Sequence, residues 1–224
     1  MKNFTYLILV FLVLVGVTGC SSDDEIGSGN AILKISAELK DQKSGKTPEK
    51  LVFTSGYVWV SEIVFDGTLQ RGTSISRTVE RFSQIDFATG IANPSLDDII
   101  IPAGDYTFVN LEVKLRDEDS QPGIVMEGIY IRTDGSEVSI RFEFNSGEVF
   151  EAETSQQVSV EENTSLLSKI LFDPNIWFSV VSNSALDNAF VNSDGIMIIS
   201  ERSNEAIFDL VADRLDASTE AVFK

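Results

Sequence analysis

The feature that most constrains this chain is strict alternation of apolar and polar side chains over several short stretches. Between Asp105 and Arg116, the residues Val109, Leu111, Val113 and Leu115 have one parity and Asn110, Glu112, Lys114 and Arg116 the other. Val138, Ile140, Phe142 and Phe144 alternate in the same way with Ser139, Arg141, Glu143 and Asn145. So do Leu33, Ile35, Ala37 and Leu39 with Lys34, Ser36, Glu38 and Lys40. A two-residue period sends successive side chains to opposite faces, so each stretch reads as a strand with one buried and one wet face. A helix would need its apolar residues three and four apart.

Further strands are expected from Leu51 to Phe65, from Ile124 to Arg132 and, with a polar middle, from Phe150 to Val160. In the first of these, Tyr57, Trp59, Ile63 and Phe65 share one parity while Val58, Val60 and Val64 share the other. That pattern predicts a central strand covered on both faces, with room for a bulge. Asp66-Gly67, Pro102-Ala103-Gly104, Asp134-Gly135 and Ser146-Gly147 supply turns between the segments. Short strands at this spacing predict a mainly β chain, an antiparallel β-sandwich over residues 30–172. After Phe172-Asp173-Pro174 the alternation fades. Ser184 to Phe190 reads as a short helix capped by Ser184, and Ile207, Leu210, Val211 and Leu215 recur at helical spacing behind a cap at Ser203 or Asn204. Residues 173–224 are therefore expected to pack short helices on the sandwich.

The first 19 residues have a different character. One cation at Lys2, an apolar run from Tyr6 to Val17 and small residues before a cysteine form the three-part layout of a secretory signal. The run is shorter than the roughly 20 residues a helix needs to span a bilayer. Val17, Thr18, Gly19 and Cys20 resemble the lipobox of bacterial lipoproteins. The resemblance implies that the Cys20 thiol receives a diacylglycerol, that the chain is cut after Gly19, and that the new amino group is often acylated. With each buried methylene adding about 0.8 kcal/mol, several acyl chains would hold the protein stably on a membrane. Residues 20–29 then form a lipidated, flexible tether.

Just after the cysteine, Ser21, Ser22, Asp23, Asp24 and Glu25 resemble the acidic surface-export tag of Bacteroidota lipoproteins. The tag implies an outer-membrane protein facing the cell exterior; the plainer reading is a solvated linker and a periplasmic domain. Together with IIIPAGDYTFVNLEV, and with FDPNIWF followed by a helical tail, these features resemble Bacteroidota surface lipoproteins that carry a β-sandwich domain of unknown function. That resemblance implies a cell-surface β domain and attaches no activity to it.

Charge and residue inventory narrow the function further. The chain holds 35 acidic against 17 basic residues, a formal charge of −18. Such a surface repels nucleic acid and anionic headgroups, so nucleic-acid binding is excluded. The chain has no histidine, which removes a Ser-His-Asp triad, a Cys-His pair and His-ligated zinc or haem. Cys20 is the sole cysteine, so no intrachain disulfide can form, and its thiol is assigned to the lipid. No glycine-rich phosphate loop follows a strand.

Carboxylate chemistry survives this inventory, but so many acids supply candidate glycosidase pairs that none stands out. Asp117, Glu118 and Asp119, with Ser120 and Gly123, offer oxygen ligands without the spacing of a calcium loop and read as a polar turn. Tyr57, Trp59, Tyr106, Tyr130 and Trp177 could form a sugar-stacking platform, although core packing is the expectation for each. The sequence thus names no catalytic, cofactor-binding or metal-binding residue. It leads to a non-catalytic binding or adhesion module at the cell surface, joined to the membrane through Cys20 and meeting a glycan or protein ligand. Two other readings stay open: a pilin-like subunit assembling by strand addition, and a carboxylate-dependent glycan hydrolase.

Overall fold

The computed structural model describes residues 29–40, 50–154, 156–215 and 219–223. The protein is mainly β, two sheets facing each other around a shared core, in line with the alternation. The smaller sheet has the order β13 (Thr219–Phe223), β11 (Ser165–Phe172), β1 (Asn30–Leu39), β5 (Ile99–Pro102). The larger is built on one long strand, β2 (Leu51–Leu69).

One edge of β2 pairs with β3 (Ser74–Asp86), which in turn carries the two-residue strand β4 (Ala92–Asn93). The other edge is shared. Leu51 to Val58 pair with β7 (Ile124–Ile131), and Val60 to Leu69 pair with β6 (Gly104–Leu115), both antiparallel. The two strands meet end to end at Trp59, whose N–H donates to Gly123 O (2.7 Å) and whose carbonyl accepts from the Arg116 N–H (3.0 Å). Residues 116–123 are therefore looped out of an otherwise continuous strand opposite a single residue. Beyond them, β8 (Glu137–Phe144) pairs with β7, while β9 (Val149–Thr154) and β10 (Val158–Val160) both pair with β6. The expected Phe150–Val160 strand is thus two short ones.

The alternation predicts an antiparallel sandwich, but two strand pairs are parallel. β1 runs parallel to β11, and β12 (Ile196–Ile199) runs parallel to β8. Parallel neighbours need a long crossover rather than a hairpin, and both pairs join segments far apart in the chain.

One glycine-containing turn signal resolves differently from the expectation. Asp66-Gly67 is no turn, because β2 runs on through it, paired on both edges. A Cβ on Gly67 would lie 2.7 Å from the Tyr106 ring, so the glycine serves a close approach in the core. The chain reverses a few residues later, at Gly72 in the left-handed region (φ +86). The bulge allowed for in β2 does occur. Its register shifts between Val60 and Glu62 against both neighbours, and the inward parity changes there. Val58 and Val60 are buried before it, Ile63 and Phe65 after it, so Tyr57 and Trp59 face away from the core.

The C-terminal region contributes strands as well as helices. α1 (Pro174–Phe178) starts with Pro174 at its first position and Asp173 accepting the Asn175 N–H. α2 (Asn183–Asp187) is capped by Ser182, which accepts the Ala185 N–H at 3.1 Å, in place of the expected Ser184. α3 (Glu205–Ala212) buries Ile207, Phe208 and Val211, while Leu210 faces solvent. Asn204 stands at its cap position in a left-handed conformation but does not cap it. Its side chain instead joins Phe190 and Ile198, tying the start of α3 to β12.

These helices cover the part of the large sheet that the small sheet leaves open. Phe178 packs against Phe53 (5.2 Å between centroids) and Phe142 (5.7 Å), and Phe208 lies over Phe142 and Phe144 (6.1 Å each). Trp177 is fully buried among Phe142, Phe150 and Phe172. Over the other half, β1 approaches β2 and β3, β5 approaches β3, and β13 approaches β9.

Candidate functional site on the outer face of the large sheet

Three of the five aromatics considered for a platform, Tyr106, Tyr130 and Trp177, are fully buried, as expected of core residues. Tyr57 and Trp59 depart from that expectation: the bulge turns them outward, and both are only half-buried. Neither ring is bare, however. The Arg116 guanidinium sits 5.2 Å from the Trp59 ring centroid, a cation–π contact. Tyr57 lies near Arg141, whose Nε and Nη1 donate to Glu143 and Glu127 at 2.6 Å each. Burial pushes the Tyr57 hydroxyl above its ordinary pKa, against the pull of Arg141.

The looped-out segment is held in shape by its own charges. Arg116 pairs with Asp119 (2.7 Å) and more loosely with Glu118 (3.7 Å). Asp119 adopts a left-handed conformation (φ 60), and its Oδ1 accepts the Gln121 N–H at 2.9 Å. Two of the three acids in the Asp117-Glu118-Asp119 cluster thus fasten Arg116 over Trp59. Gly147 belongs to the same arrangement, since a Cβ there would come 2.7 Å from Asp117.

Beside this loop lies a small cleft of about 80 Å³. Ser120 and Pro122 form one wall, Glu143 and Asn145 at the end of β8 a second, and Ser200, Glu201 and Arg202 a third. The third wall follows β12 and is brought there by the parallel β8–β12 pairing. Hydroxyls, an amide and both signs of charge line the cleft. Ser120 and Ser200 have no imidazole to activate them, and Glu143 is engaged by Arg141. The arrangement can hold a polar group by hydrogen bonds.

Local sequence flags the acidic loop and Trp59 but not Asn145, Ser200 or Arg202, which carry no pattern of their own. Cys20 and the tag residues Ser22, Asp23, Asp24 and Glu25 lie outside the described residues. Among the described residues, no helix is long and apolar enough to cross a membrane, and no three acids stand close enough to hold a metal ion. No protein-family model matches the chain, and no curated protein or solved structure does so either.

Proposed function

We propose that this chain is a lipid-anchored, cell-surface binding module without catalytic activity, fastened through Cys20 and carried outward by Ser22-Asp23-Asp24-Glu25. Its ligand contacts lie in the cleft beside the 116–123 loop. The observation that carries this reading is the loop itself. A chain under selection for stability alone could join β6 to β7 directly; here residues 116–123 are set opposite Trp59 alone and braced there. Irregularities that break an otherwise continuous strand concentrate where side chains must be aimed at something. The cleft takes the end of a polar ligand, and its mixture of hydroxyl, amide and charged groups suits the hydroxyls of a glycan.

The test uses the full chain in detergent micelles on a glycan array, with the double variant Asn145→Ala, Arg202→Ala beside it. Binding of a defined glycan, weakened at least tenfold in the variant, is the expected result. A glycan bound equally by both would move the site elsewhere, and a silent array would overturn the glycan assignment. For the anchor, Cys20→Ala should release the protein from the membrane fraction. Protease added to intact cells should remove the wild-type domain, and a fully protected domain would place it in the periplasm.

A further inference from the structure

The other half of the same outer face carries a second, different surface. On β6 the outward residues are Asn110, Glu112 and Lys114. Asp66 on β2 and Glu153 on β9 stand directly opposite Asn110, and Glu151 on β9 directly opposite Glu112. One row further along, Glu62 stands between Glu80 on β3 and Lys114 on β6, without a Lys114 ion pair. Among the described residues, no Lys or Arg comes within ion-pair distance of these carboxylates. Like charges placed opposite each other across strands repel, so this is a destabilising arrangement in the isolated protein.

A second observation comes from Asn110 at its centre. The residue is only 8% exposed, and its side-chain carbonyl Oδ1 is buried with no hydrogen-bond partner. The amide Nδ2 donates to Glu112 Oε1 (3.3 Å), which places the side chain within the acidic group. A buried acceptor without a donor costs about 1–3 kcal/mol unless something supplies one. The acceptor calls for a donor, and the carboxylates of Asp66, Glu112, Glu151 and Glu153 around it favour one that carries positive charge.

We infer that this face docks an extended, basic protein segment whose lysine or arginine side chains lie between the carboxylate rows, one of them donating to Asn110 Oδ1. The rows through Asn110 and Glu112 are two residues apart along β6, about 7 Å. Alternate residues of an extended peptide have the same spacing. An ammonium has three donors, enough for Asn110 and two carboxylates together. A metal ion needs its oxygens converged on one point, and no three acids do so among the described residues.

The test measures binding of fluorescent hexalysine to the full chain in micelles by anisotropy at low salt. The triple variant Asp66→Asn, Glu112→Gln, Glu151→Gln should bind at least tenfold more weakly. A control with equal charge change on other surfaces, Glu137→Gln, Glu205→Gln, Asp209→Asn, should stay within twofold of wild type. Asn110→Leu should weaken binding severalfold, with near-UV circular dichroism confirming that each variant is folded. Equal losses in the triple variant and the control would reduce the effect to net charge and overturn the proposal. Calcium alone displacing hexalysine at micromolar concentration, through the same carboxylates, would replace a basic segment with a metal.

Discussion

The two halves of β2 live in different surroundings, although they belong to one unbroken strand. Before the bulge at Ser61, the inward side meets the aromatic layer brought by α1 and α3, and the outward side carries Tyr57 and Trp59 next to arginines whose charges are paired. After it, the inward side meets Tyr106 and the small sheet, and the outward side carries carboxylates with no Lys or Arg at ion-pair distance among the described residues. A register shift of one residue separates them. The difference shows how the irregularity at Ser61 lets one sheet present two chemistries: it reverses which residues are core and which are surface.

The inward contrast yields the largest expected effect. Phe142 touches the rings of Trp177, Phe178 and Phe208, whereas Phe65 in the other half has Tyr106 as its ring neighbour (5.8 Å). Both are buried, so truncation to alanine should cost about 3–5 kcal/mol in each case. Phe142→Ala should fall at the upper end and Phe65→Ala at the lower, measured by chemical denaturation. Equal losses would mean that the helical layer contributes no more than ordinary burial.

A smaller effect is expected where the helices are pinned to the sheet. The Tyr130 hydroxyl donates to Asp187 Oδ1 (2.8 Å), and the same carboxylate accepts the Thr133 N–H (3.0 Å). Burial, together with the hydrogen bond to Asp187, pushes the Tyr130 pKa up to about 12. Tyr130→Phe removes this bond and the longer contact to the Asn183 carbonyl (3.2 Å) and leaves the carboxylate its other partners, so a loss of about 1.5–3 kcal/mol is expected. Hydrogen exchange should quicken in α2 before it does in β7. A uniform change would show that α2 does not depend on this bond.

The first half of β2 was also the harder to read. Val109 to Leu115 and Val138 to Phe144 declare themselves because each faces one core without interruption. In Leu51–Leu69 the buried parity changes between Phe53 and Val58 and again at Ser61, so no single alternation describes it, and Tyr57 and Trp59 look like core residues until the register shifts are known. β3 leaves no clear signal for another reason. Ser74 to Phe82 pack against the core only through half-buried Ile75 and Val79, too sparse a pattern to stand out. β12 is four apolar residues with no period to measure. The acidic loop was legible as a polar turn. Its position over Trp59 was not, because that depends on β6 and β7 sharing one edge of β2, which is a long-range fact.

The smallest expected effect distinguishes the two halves by pH. In the helical half, hydrogen bonds from the Thr133 side chain and backbone hold the Asp187 pKa below its ordinary value. A depressed carboxyl stabilises the fold above its unfolded pKa, and that contribution is lost as pH falls through the folded pKa. In the acidic half the sign reverses. Burial first, then Glu151, Asp66 and Glu62, raise the Glu112 pKa. The folded state therefore binds the proton more tightly than the unfolded chain does. Glu112 destabilises the fold above its folded pKa, and the penalty is relieved as pH drops toward the unfolded value. Glu112→Gln should accordingly raise the melting temperature at pH 7 and leave it unchanged near pH 3, whereas Asp187→Asn should lower it at pH 7. The Asp187→Asn difference should persist below the ordinary aspartate pKa, closing only when the folded carboxyl itself protonates. Melting curves of the two variants across pH 2–8 carry the comparison, and shifts of the same sign at pH 7 would show that the two halves do not differ in the way their surfaces suggest.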